Sequence, residues 1–374
     1  MSEMTDQMQS VAPELSELRN QIDALDAQIQ ALINERAHCA QQVAEVKTKA
    51  LGAGEEMPVF YRPEREAQVL QAVLERQQGP IDAESMARLF REIMSVCLAL
   101  EEPLKVAYLG PEGTFTQQAA IKHFGQSAQT VPLVAIDEVF RDVEGGAVNY
   151  GLVPVENSTE GVVNHTLDSF LNSKLKICGE VELRIHHHLM VGPNTRQDSI
   201  SRVYSHQQSL AQCRKWLDAH MPKVERIAVS SNAEAAKRVQ GEWNAAAIAG
   251  SVAAHLYDLS IVSSSIEDHP DNSTRFLVIG RESVPPSGQD KTSIIVSMRN
   301  EPGSLFKLLQ PFNEFGIDMT RLETRPAPNA QWSYVFFIDF KGHINDSNVQ
   351  QALVKIEALA QQVRVLGSYP MAIL

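Results

Sequence analysis

The segment DHPDNSTRFLVIG spans residues 268–280 and joins two kinds of sequence. Polar, turn-forming residues lead into Thr274, Arg275 and Phe276, and the apolar run that follows is typical of a buried strand. A hydroxyl and a guanidinium are therefore predicted at the mouth of a rigid element, where functional side chains are often found. On pattern alone, an ordinary loop before an edge strand is more common than a functional site. The choice between the two therefore depends on the rest of the chain.

Length and charge limit the classes of protein that this sequence can encode. Its 374 residues predict two or three domains, and a hydrophobic content of 44% is enough for their cores. The net charge of −13 argues against binding to nucleic acid or to an acidic membrane surface. The polar N-terminus is unlike a signal peptide, and no apolar run approaches the length of a membrane span. Scattered cysteines without a Cys-x-x-Cys pair indicate reduced thiols in a cytoplasmic protein.

The first hundred residues carry a helical repeat. Apolar residues recur in alternating steps of four and three, which is typical of a heptad seam, at Leu18, Ile22, Leu25, Ile29 and Leu32. No breaker follows Pro13 until residue 52, so a helix of about 50 Å is predicted at about 1.5 Å per residue. Two shorter helices are predicted near residues 63–77 and 82–100. They cannot cover the long helix, so the sequence predicts a dimer.

Cations on the long helix are spaced in a way that also points to two copies. Arg36 and Lys47 return to nearly the same helix face, about 16 Å apart. Arg19 lies about 25 Å before Arg36, too far to share one small ligand within a chain. In an antiparallel dimer, Arg19 of the partner subunit would reach the same place. A solvated helix surface with scattered charges is the alternative that these residues leave open.

This region resembles the all-helical chorismate mutase domain. The matching positions are Leu18-Arg19, Ile22, Leu25-Asp26, Leu32, Glu35-Arg36, Val43, Val46-Lys47 and Arg62-Pro63-Glu64-Arg65-Glu66. The resemblance implies an intertwined all-α domain over residues 1–103, in which each site borrows an arginine from the partner. Arg36 and the partner subunit's Arg19 would hold carboxylates, and Lys47 would lie by the ether oxygen. Two more residues would line the site: Arg65 and Glu66.

The reaction implied by the resemblance is a unimolecular rearrangement, which needs a dianion held in a reactive conformer and charge stabilisation. Three residues differ from those common in the family: this chain has Arg62 where an acid is common, Cys97 where a serine is common and Glu101 where a glutamine is common. Arg62 and Cys97 would contact the substrate. Glu101 would be a second donor to the ether oxygen, which a carboxyl can be only when it is protonated.

From residue 104 onward, apolar runs alternate with helical stretches, which predicts an α/β domain of two lobes with a cleft over residues 104–281. The predicted strands are Lys105–Leu109, Tyr150–Val155, Lys176–Val181, Ile227–Val229, Ala245–Ala249 and Leu277–Ile279. Polar segments interrupt the pattern at residues 110–116, 155–161 and 205–209. Each segment alone is more typical of a helix cap or a turn than of a site.

Together with the Thr-Arg-Phe segment, these polar segments resemble the motifs of the prephenate dehydratase family. The resemblance implies catalytic residues at Glu156, Asn157, Ser205, Gln212, Thr274 and Arg275. Thr274 would polarise the departing ring hydroxyl, Arg275 would pair with a carboxylate, and the turn that carries Thr114 would offer N–H groups to the anionic substrate. The histidine run 186–188 is predicted to pack on a strand, because adjacent strand residues point to opposite faces and cannot share a metal ion.

The last part of the chain follows a linker predicted at residues 282–291. A βαββαβ order then predicts a ferredoxin-like α+β domain over residues 292–374. On pattern alone, its Pro-Gly-Ser-Leu and Glu-Thr-Arg-Pro segments are a tight turn and a strand end. They resemble the phenylalanine-binding motifs of ACT regulatory domains, which implies effector-binding residues at Gly303, Ser304, Leu305, Glu323 and Arg325.

The order of the three resemblances is that of the bifunctional P-proteins of phenylalanine biosynthesis. It implies conversion of chorismate to prephenate and of prephenate to phenylpyruvate with loss of water and CO2, under feedback inhibition by phenylalanine. It also implies no cofactor or metal, and a homodimer or a dimer of dimers. Two alternatives stay open. One is a dehydratase whose helical domain serves only dimerisation, which Arg62 and Cys97 favour; the other is a two-lobed binding protein without catalysis.

Overall fold

The computed structural model describes residues 2–50, 61–299, 301–326 and 334–373. These residues form a helical N-terminal domain, a middle α/β domain of two lobes and a C-terminal α+β domain. The predicted multidomain fold class is confirmed at this level. No helix among these residues is long and apolar enough to cross a membrane.

The N-terminal domain contains three helices, which are α1 (Ser2–Lys49), α2 (Pro63–Arg76) and α3 (Ala83–Glu101). α1 begins earlier than predicted, on the N-terminal side of Pro13, and extends for about 72 Å at about 1.5 Å per residue. The predicted helix breaker at residues 52–54 lies outside the described residues. α2 and α3 pack against each other, and α1 contacts α3.

The heptad seam of α1 is exposed to solvent in the single chain. Its side chains are 53% to 64% exposed at Leu18, Ile22, Leu25, Ile29 and Leu32. By contrast, Leu70, Val73 and Ala87 are almost fully buried between α2 and α3. A long apolar stripe left in water favours pairing with a second helix. The exposed seam therefore supports the predicted dimer, which stays a prediction.

The elements of the middle domain follow one another in a largely alternating order. They are β1 (Lys105–Leu109), α4 (Phe115–Phe124), β2 (Gln129–Leu133), α5 (Ile136–Glu144), β3 (Tyr150–Asn157), β4 (Gly161–Val162), α6 (Asn164–Asn172), β5 (Lys176–Arg184), β6 (His188–Val191), β7 (Arg202–His206), α7 (Gln207–Gln212), α8 (Arg214–His220), β8 (Glu225–Val229), α9 (Asn232–Val239), β9 (Ala245–Ala249), α10 (Ser251–Leu256), β10 (Ser260–Ser263) and β11 (Ser273–Gly280).

Two sheets form the two lobes of this domain. The first lobe has the strand order β2-β1-β3-β11-β5, with β4 paired to β3, and the second has the order β10-β6-β9-β7-β8. The chain leaves the first lobe after β5 and returns to it through β11. Because β11 pairs with both β3 and β5, the Thr-Arg-Phe segment lies near the middle of the first sheet.

Several elements differ from the prediction. β11 begins at Ser273 rather than Leu277, so Thr274 and Arg275 lie inside a paired strand and not in the loop before it. β5 ends at Arg184 and β6 begins at His188, so the histidine run bridges two strands. The sequence also misses β2, β4, β6, β7 and β10, which are 2 to 5 residues long.

The C-terminal domain has the predicted βαββαβ order, with β12 (Asp290–Ser297), α11 (Ser304–Glu314), β13 (Met319–Pro326), β14 (Tyr334–Lys341), α12 (Ser347–Leu359) and β15 (Gln362–Pro370). Its sheet has the order β13-β14-β12-β15. α11 and α12 cover one face, where Ile294, Phe312, Phe340 and Ile356 form the core. β12 begins at Asp290, inside the predicted linker, because the strand pairs with β15 from its first residue.

The other face of this sheet packs against the first lobe of the middle domain. Ile295 and Phe337 share one core with Phe170 and Ile177. At Gly367 a Cβ atom would lie 2.2 Å from the carbonyl oxygen of Ile177, so only glycine allows this approach. The C-terminal domain is thus docked directly behind the β3–β11 strand pair.

Candidate active sites and effector site

A cavity of about 490 Å³ lies between the two lobes of the middle domain, within the range typical of small-molecule sites. It is lined by the N-terminal ends of α4 and α9, the ends of β3 and β11, and part of α7. Its hydrogen-bonding side chains include Thr114, Thr116, Asn157, His187, His206, Ser209, Gln212, Ser231, Asn232, Asn272 and Thr274. The structure therefore brings together several residues that the sequence predicts: Thr114, Asn157, Gln212 and Thr274.

The hydroxyl of Thr274 is oriented by Asn157 on the neighbouring strand. Asn157 Nδ2 donates to Thr274 Oγ1 over 2.8 Å, and the two residues lie opposite each other in the strand register. The amide cannot flip freely, because its Oδ1 accepts from the backbone N–H groups of Thr159 and Glu160. Since Oγ1 already accepts a hydrogen bond, its O–H group is left to donate. The cavity thus contains an oriented hydroxyl donor.

A chain of side-chain amides runs from this pair to His187. Asn157 Nδ2 lies 3.1 Å from Asn272 Oδ1, and Asn272 Nδ2 donates to Gln212 Oε1 over 3.1 Å. Because Gln212 Oε1 is an acceptor, the His187 nitrogen 2.8 Å away, Nε2, carries the proton. Burial lowers the pKa of His187, and the hydrogen bond to Gln212 only partly opposes this, so the ring is neutral.

The sequence does not identify Asn272 or His187. Asn272 lies two positions before Thr274, and two-residue spacing along an extended chain places side chains on the same face. That signal could have found Asn272. The sequence predicts that His187 packs on a strand with its neighbours, and its contact with Gln212 joins residues 25 positions apart. Sequence spacing carries no signal for such a pair.

Ser205 lies behind the cavity wall, which corrects its predicted place in the site. Its side chain is fully buried, with Oγ 2.9 Å from Asn232 Oδ1 and 2.7 Å from the carbonyl oxygen of Ile248. Asn232 lines the cavity and donates from Nδ2 to Ser209 Oγ over 2.9 Å. The contacts of Ser205 therefore position Asn232, which the sequence does not identify.

Glu156 and Arg275 face away from the cavity, because side chains alternate between the faces of a strand. Nη1 of Arg275 donates to Asp339 Oδ2 over 2.6 Å, and Nε of Arg321 lies 3.3 Å from Glu156 Oε2. Asp339 and Arg321 both belong to the C-terminal domain. The structure thus corrects the prediction that Arg275 pairs with the substrate and that Glu156 lies in the same site as Asn157.

The cavity is suited to an anion through its helix ends. No lysine or arginine is found among the described residues that line it. The N-terminal ends of α4 and α9 reach it, and the unpaired N–H groups and the dipole at such ends attract carboxylates. Thr114 and Ser231 are the N-cap residues of these two helices.

In the helical domain, Arg36, Lys47 and Glu101 lie close enough to interact electrostatically. Burial raises the pKa of Glu101, while the positive charges of Lys47 and Arg36 oppose that rise. Arg19 lies on the same helix, about 25 Å from Arg36 at about 1.5 Å per residue. One chain therefore gathers three of the predicted residues, and Arg19 stays remote from them, as the shared-site prediction requires.

Glu66 turns toward the middle domain and not toward α1. Its Oε1 lies 3.3 Å from Arg91 Nε, and Arg91 Nη1 donates to the carbonyl oxygen of Lys122 over 2.9 Å. Burial raises the pKa of Glu66, and the nearby Arg91 opposes this. The structure therefore corrects the prediction that Glu66 lines the mutase site, since its carboxylate holds Arg91 of α3, which in turn contacts the middle domain.

The remaining predicted mutase residues differ in accessibility. Arg62 and Arg65 are exposed at the start of α2, where Arg62 Nε contacts Glu64 Oε1 over 2.5 Å. Cys97 is buried within α3. Contact of Arg62, Arg65 and Cys97 with the substrate stays a prediction.

Three charged residues of β13 point in one direction, because they are spaced by two: Arg321, Glu323 and Arg325. Arg325 donates from Nε and Nη2 to the two carboxylate oxygens of Asp168 over 2.9 and 2.7 Å. This ion pair joins β13 to α6, and binding of an effector by Arg325 stays a prediction. Glu323 is partly exposed, with Oε1 4.0 Å from Arg321 Nε.

The N-terminal end of α11 has the features expected of a carboxylate site. Gly303 has φ +81°, a conformation that favours glycine, and it directly precedes the helix. Ser304 Oγ donates to the carbonyl oxygen of Arg299 over 2.8 Å, and Leu305 is exposed. Binding of phenylalanine by Gly303, Ser304, Leu305 and Glu323 stays a prediction.

Three family models match successive parts of the chain. They are chorismate mutase type II at residues 18–102, prephenate dehydratase at residues 106–284 and ACT domain at residues 292–358. A protein of Pseudomonas aeruginosa named bifunctional chorismate mutase/prephenate dehydratase is 66% identical over 361 residues, covering 96% of this chain and 99% of that relative. A relative of the same name from Neisseria gonorrhoeae is 51% identical, covering 95% and 97%.

A solved structure also matches the middle and C-terminal parts of the chain. Prephenate dehydratase from Arthrobacter aurescens in complex with L-Phe is 32% identical, with a TM-score of 0.66, covering 71% of this chain and 90% of that one. The fold and the cavity define a multidomain enzyme that carries a regulatory domain of the ACT type. The chain belongs to the family of bifunctional chorismate mutase/prephenate dehydratases.

Proposed function

We propose that the helical domain converts chorismate to prephenate, that the cavity of the middle domain converts prephenate to phenylpyruvate, and that phenylalanine inhibits the enzyme through the ACT domain. Relatives that match nearly the whole chain carry both activities in their names, which supports the two reactions. The related dehydratase in complex with L-Phe supports the effector. The exposed seam of α1 supports a homodimer or a dimer of dimers, and we propose a cytoplasmic location from the dispersed cysteines.

The observation that carries the dehydratase reaction is the oriented hydroxyl of Thr274. In this reaction the bond from the ring to its carboxylate breaks, and those electrons restore the aromatic ring as the bond to the ring hydroxyl breaks. One proton joins the departing hydroxyl, so that CO2 and water leave. Thr274 donates a hydrogen bond to the departing oxygen and stabilises the negative charge that develops there.

The N-terminal ends of α4 and α9 would hold the carboxylates of prephenate. Helix ends bind an anion without a full positive charge. This matters for the carboxylate that leaves as neutral CO2, because an ion pair to lysine or arginine would stabilise it in the ground state and not in the product. The absence of both residue types among the described lining residues therefore fits a decarboxylation.

In the mutase reaction the protein has to hold a dianion in a folded conformer and stabilise charge on the ether oxygen. Arg36 and the partner subunit's Arg19 would hold the carboxylates. Lys47 and protonated Glu101 would donate to the ether oxygen. The electrostatic contact of Glu101 with Lys47 and Arg36 supports this assignment within one chain.

Measuring both reactions on the purified chain and on the Thr274→Val variant tests the proposal. This exchange keeps the shape of the side chain but removes the O–H donor, so dehydratase kcat should fall about 10²- to 10⁴-fold. Thr274→Ser should recover much of that loss, and the mutase rate should not change in either variant. Near-normal phenylpyruvate formation by Thr274→Val would refute the role of Thr274. If the wild-type chain converts prephenate but not chorismate, the helical domain serves only dimerisation.

A further inference from the structure

The β3–β11 strand pair has different chemistry on its two faces. In the register, Thr274 lies opposite Asn157, and Arg275 lies opposite Glu156. The first pair lines the cavity, and the second pair faces the ACT domain. The register shifts directly after Arg275, which marks a β-bulge of the kind that re-aims side chains near active sites.

The guanidinium of Arg275 is held by partners on both sides of the domain interface. Its Nε donates to Glu180 Oε2 over 2.8 Å, within the middle domain. Its Nη1 and Nη2 donate to Asp339 Oδ2 over 2.6 Å and to the hydroxyl oxygen of Tyr369 over 3.1 Å, both in the ACT domain. Three nitrogens with three partners leave the planar group little freedom to move.

The carboxylates that hold Arg275 are themselves fixed. Lys291 Nζ donates to Glu180 Oε2 over 2.7 Å, and Ser293 Oγ donates to Asp339 Oδ1 over 2.6 Å. The four charged groups are largely buried and consist of two cations and two carboxylates, so the cluster is balanced. Balanced, hydrogen-bonded networks of this kind are rigid and respond strongly to the removal of one member.

The residue opposite Arg275 also has a partner in the ACT domain. Glu156 lies 3.3 Å from Nε of Arg321, whose side chain is largely buried. Both residues of the outer pair are therefore engaged by the ACT sheet. Each of them is the direct chain neighbour of a cavity residue, about 3.8 Å away from Cα to Cα.

We propose that the ACT sheet sets the position of the Thr274 hydroxyl and the Asn157 amide, with Asp339 as a positioning residue of the dehydratase reaction that acts through Arg275. This inference rests on the proposed dehydratase function. Asp339 touches neither the cavity nor the substrate. Its effect comes from geometry, since a shift of about 1 Å in a reacting group can cost about 10²-fold in rate.

The exchange Asp339→Asn tests this inference, because it keeps the size of the side chain and removes the charge that holds Arg275. Dehydratase kcat should fall about 10- to 100-fold, while KM changes less than about threefold, since the groups that bind the carboxylates are untouched. The same exchange is then made in the Thr274→Val background. If Asp339 acts through Thr274, the Asp339→Asn exchange should lower kcat less than about threefold in the Thr274→Val background, because the effects of coupled residues are not additive.

Arg364→Met is the matched control. Arg364 also joins the ACT domain to the first lobe, by donating to the carbonyl oxygens of Phe170 and Ser173, but its hydrogen bonds do not reach β3 or β11. Its removal should leave dehydratase kcat unchanged. The mutase rate and the melting temperature of each variant report on folding. Should Asp339→Asn unfold, Ser293→Ala is used in the same comparison, because it keeps both charges and removes only the hydrogen bonds of the Ser293 hydroxyl to Asp339 and Tyr369, the two ACT-domain partners of Arg275.

Three results would overturn the inference. In the first, Asp339→Asn retains full kcat. In the second, its cost is the same with and without the Thr274 hydroxyl. In the third, Arg364→Met lowers kcat as much. A wild-type chain without prephenate dehydration would instead refute the proposed function, so the two failures are distinguishable.

Discussion

The exchange Asn157→Asp would keep the shape of the side chain and reverse the hydrogen bond that orients Thr274. An ionised carboxylate cannot donate, so the new oxygen would accept the Thr274 O–H over the same 2.8 Å and withdraw it from the substrate. The other oxygen would still accept from the N–H groups of Thr159 and Glu160, so the turn after β3 should be preserved. The change therefore affects the Thr274 hydroxyl and the weaker contacts of Asn157 Nδ2 with Asn272 Oδ1 and the carbonyl oxygen of Ser273.

The expected loss has two parts. Withdrawing one oriented donor from a developing charge costs about 10²- to 10³-fold in kcat. The new charge would also lie within about 5.6 Å of the departing oxygen, because two hydrogen bonds of about 2.8 Å separate them. A full unit charge there costs about 3 kcal/mol at an effective dielectric constant of about 20, or about 100-fold. Dehydratase kcat should therefore fall about 10⁴- to 10⁵-fold.

Phenylpyruvate formation, followed as a function of pH, is the assay. Below the pKa of the new carboxyl the group can donate again, so the activity of the variant should recover in part as pH falls, unlike that of the wild type. Asn244→Asp is the control, because Asn244 Nδ2 makes a similar bond of 2.9 Å to Ser201 Oγ outside the cavity. A loss below about tenfold in Asn157→Asp, or an equal loss in the control, would contradict the orienting role.

The other predictions concern the mutase and effector sites. Arg19→Ala and Arg36→Ala should each abolish mutase activity and spare the dehydratase, and refolding the two variants together should restore some mutase activity; no recovery despite proven subunit mixing would exclude a shared site. Burial raises the pKa of Glu101, so mutase activity should decline as pH rises through that pKa, and Glu101→Gln should flatten the decline; an unchanged midpoint would identify another titrating group. Glu323→Ala should weaken inhibition by phenylalanine without lowering the uninhibited rate, and unchanged affinity in calorimetry would place the effector elsewhere.

Periodicity predicts the helical, α/β and ferredoxin-like parts of the fold, and the resemblance to the dehydratase family predicts part of the dehydratase site. Thr274, Asn157 and Gln212 do line one cavity. The sequence does not predict the direction of Arg275, because its pattern predicts a strand that begins at Leu277, whereas the strand begins at Ser273. Once Thr274 is inside a strand, alternation sends its neighbour to the other face. A difference of four residues in the start of this strand thus moves the guanidinium of Arg275 from the cavity to the opposite face of the sheet.

Contacts between domains were beyond the reach of sequence patterns. Arg91, which holds Glu66 within the helical domain, donates to Lys122 of the middle domain, and Arg325 pairs with Asp168, which is 157 positions away. The pattern of a helix or strand indicates which face a residue lies on, but not which domain covers that face. The family resemblance therefore assigns these charged residues to ligand sites, whereas in the structure Asp168 of the middle domain neutralises Arg325, and Arg91 of the helical domain neutralises Glu66.

In each of the Glu156-Asn157 and Thr274-Arg275 dipeptides, one side chain lies on the cavity face of the sheet and the other lies on the ACT face. A substitution at either position therefore has two separate routes to a loss of activity. Removal of Thr274 or Asn157 acts on the departing oxygen directly, while removal of Glu156 or Arg275 first disturbs a domain interface. Loss of activity in the second group does not identify a catalytic residue. Only the first group should lose kcat without a change in how the ACT domain is docked, so domain docking has to be measured beside the rate.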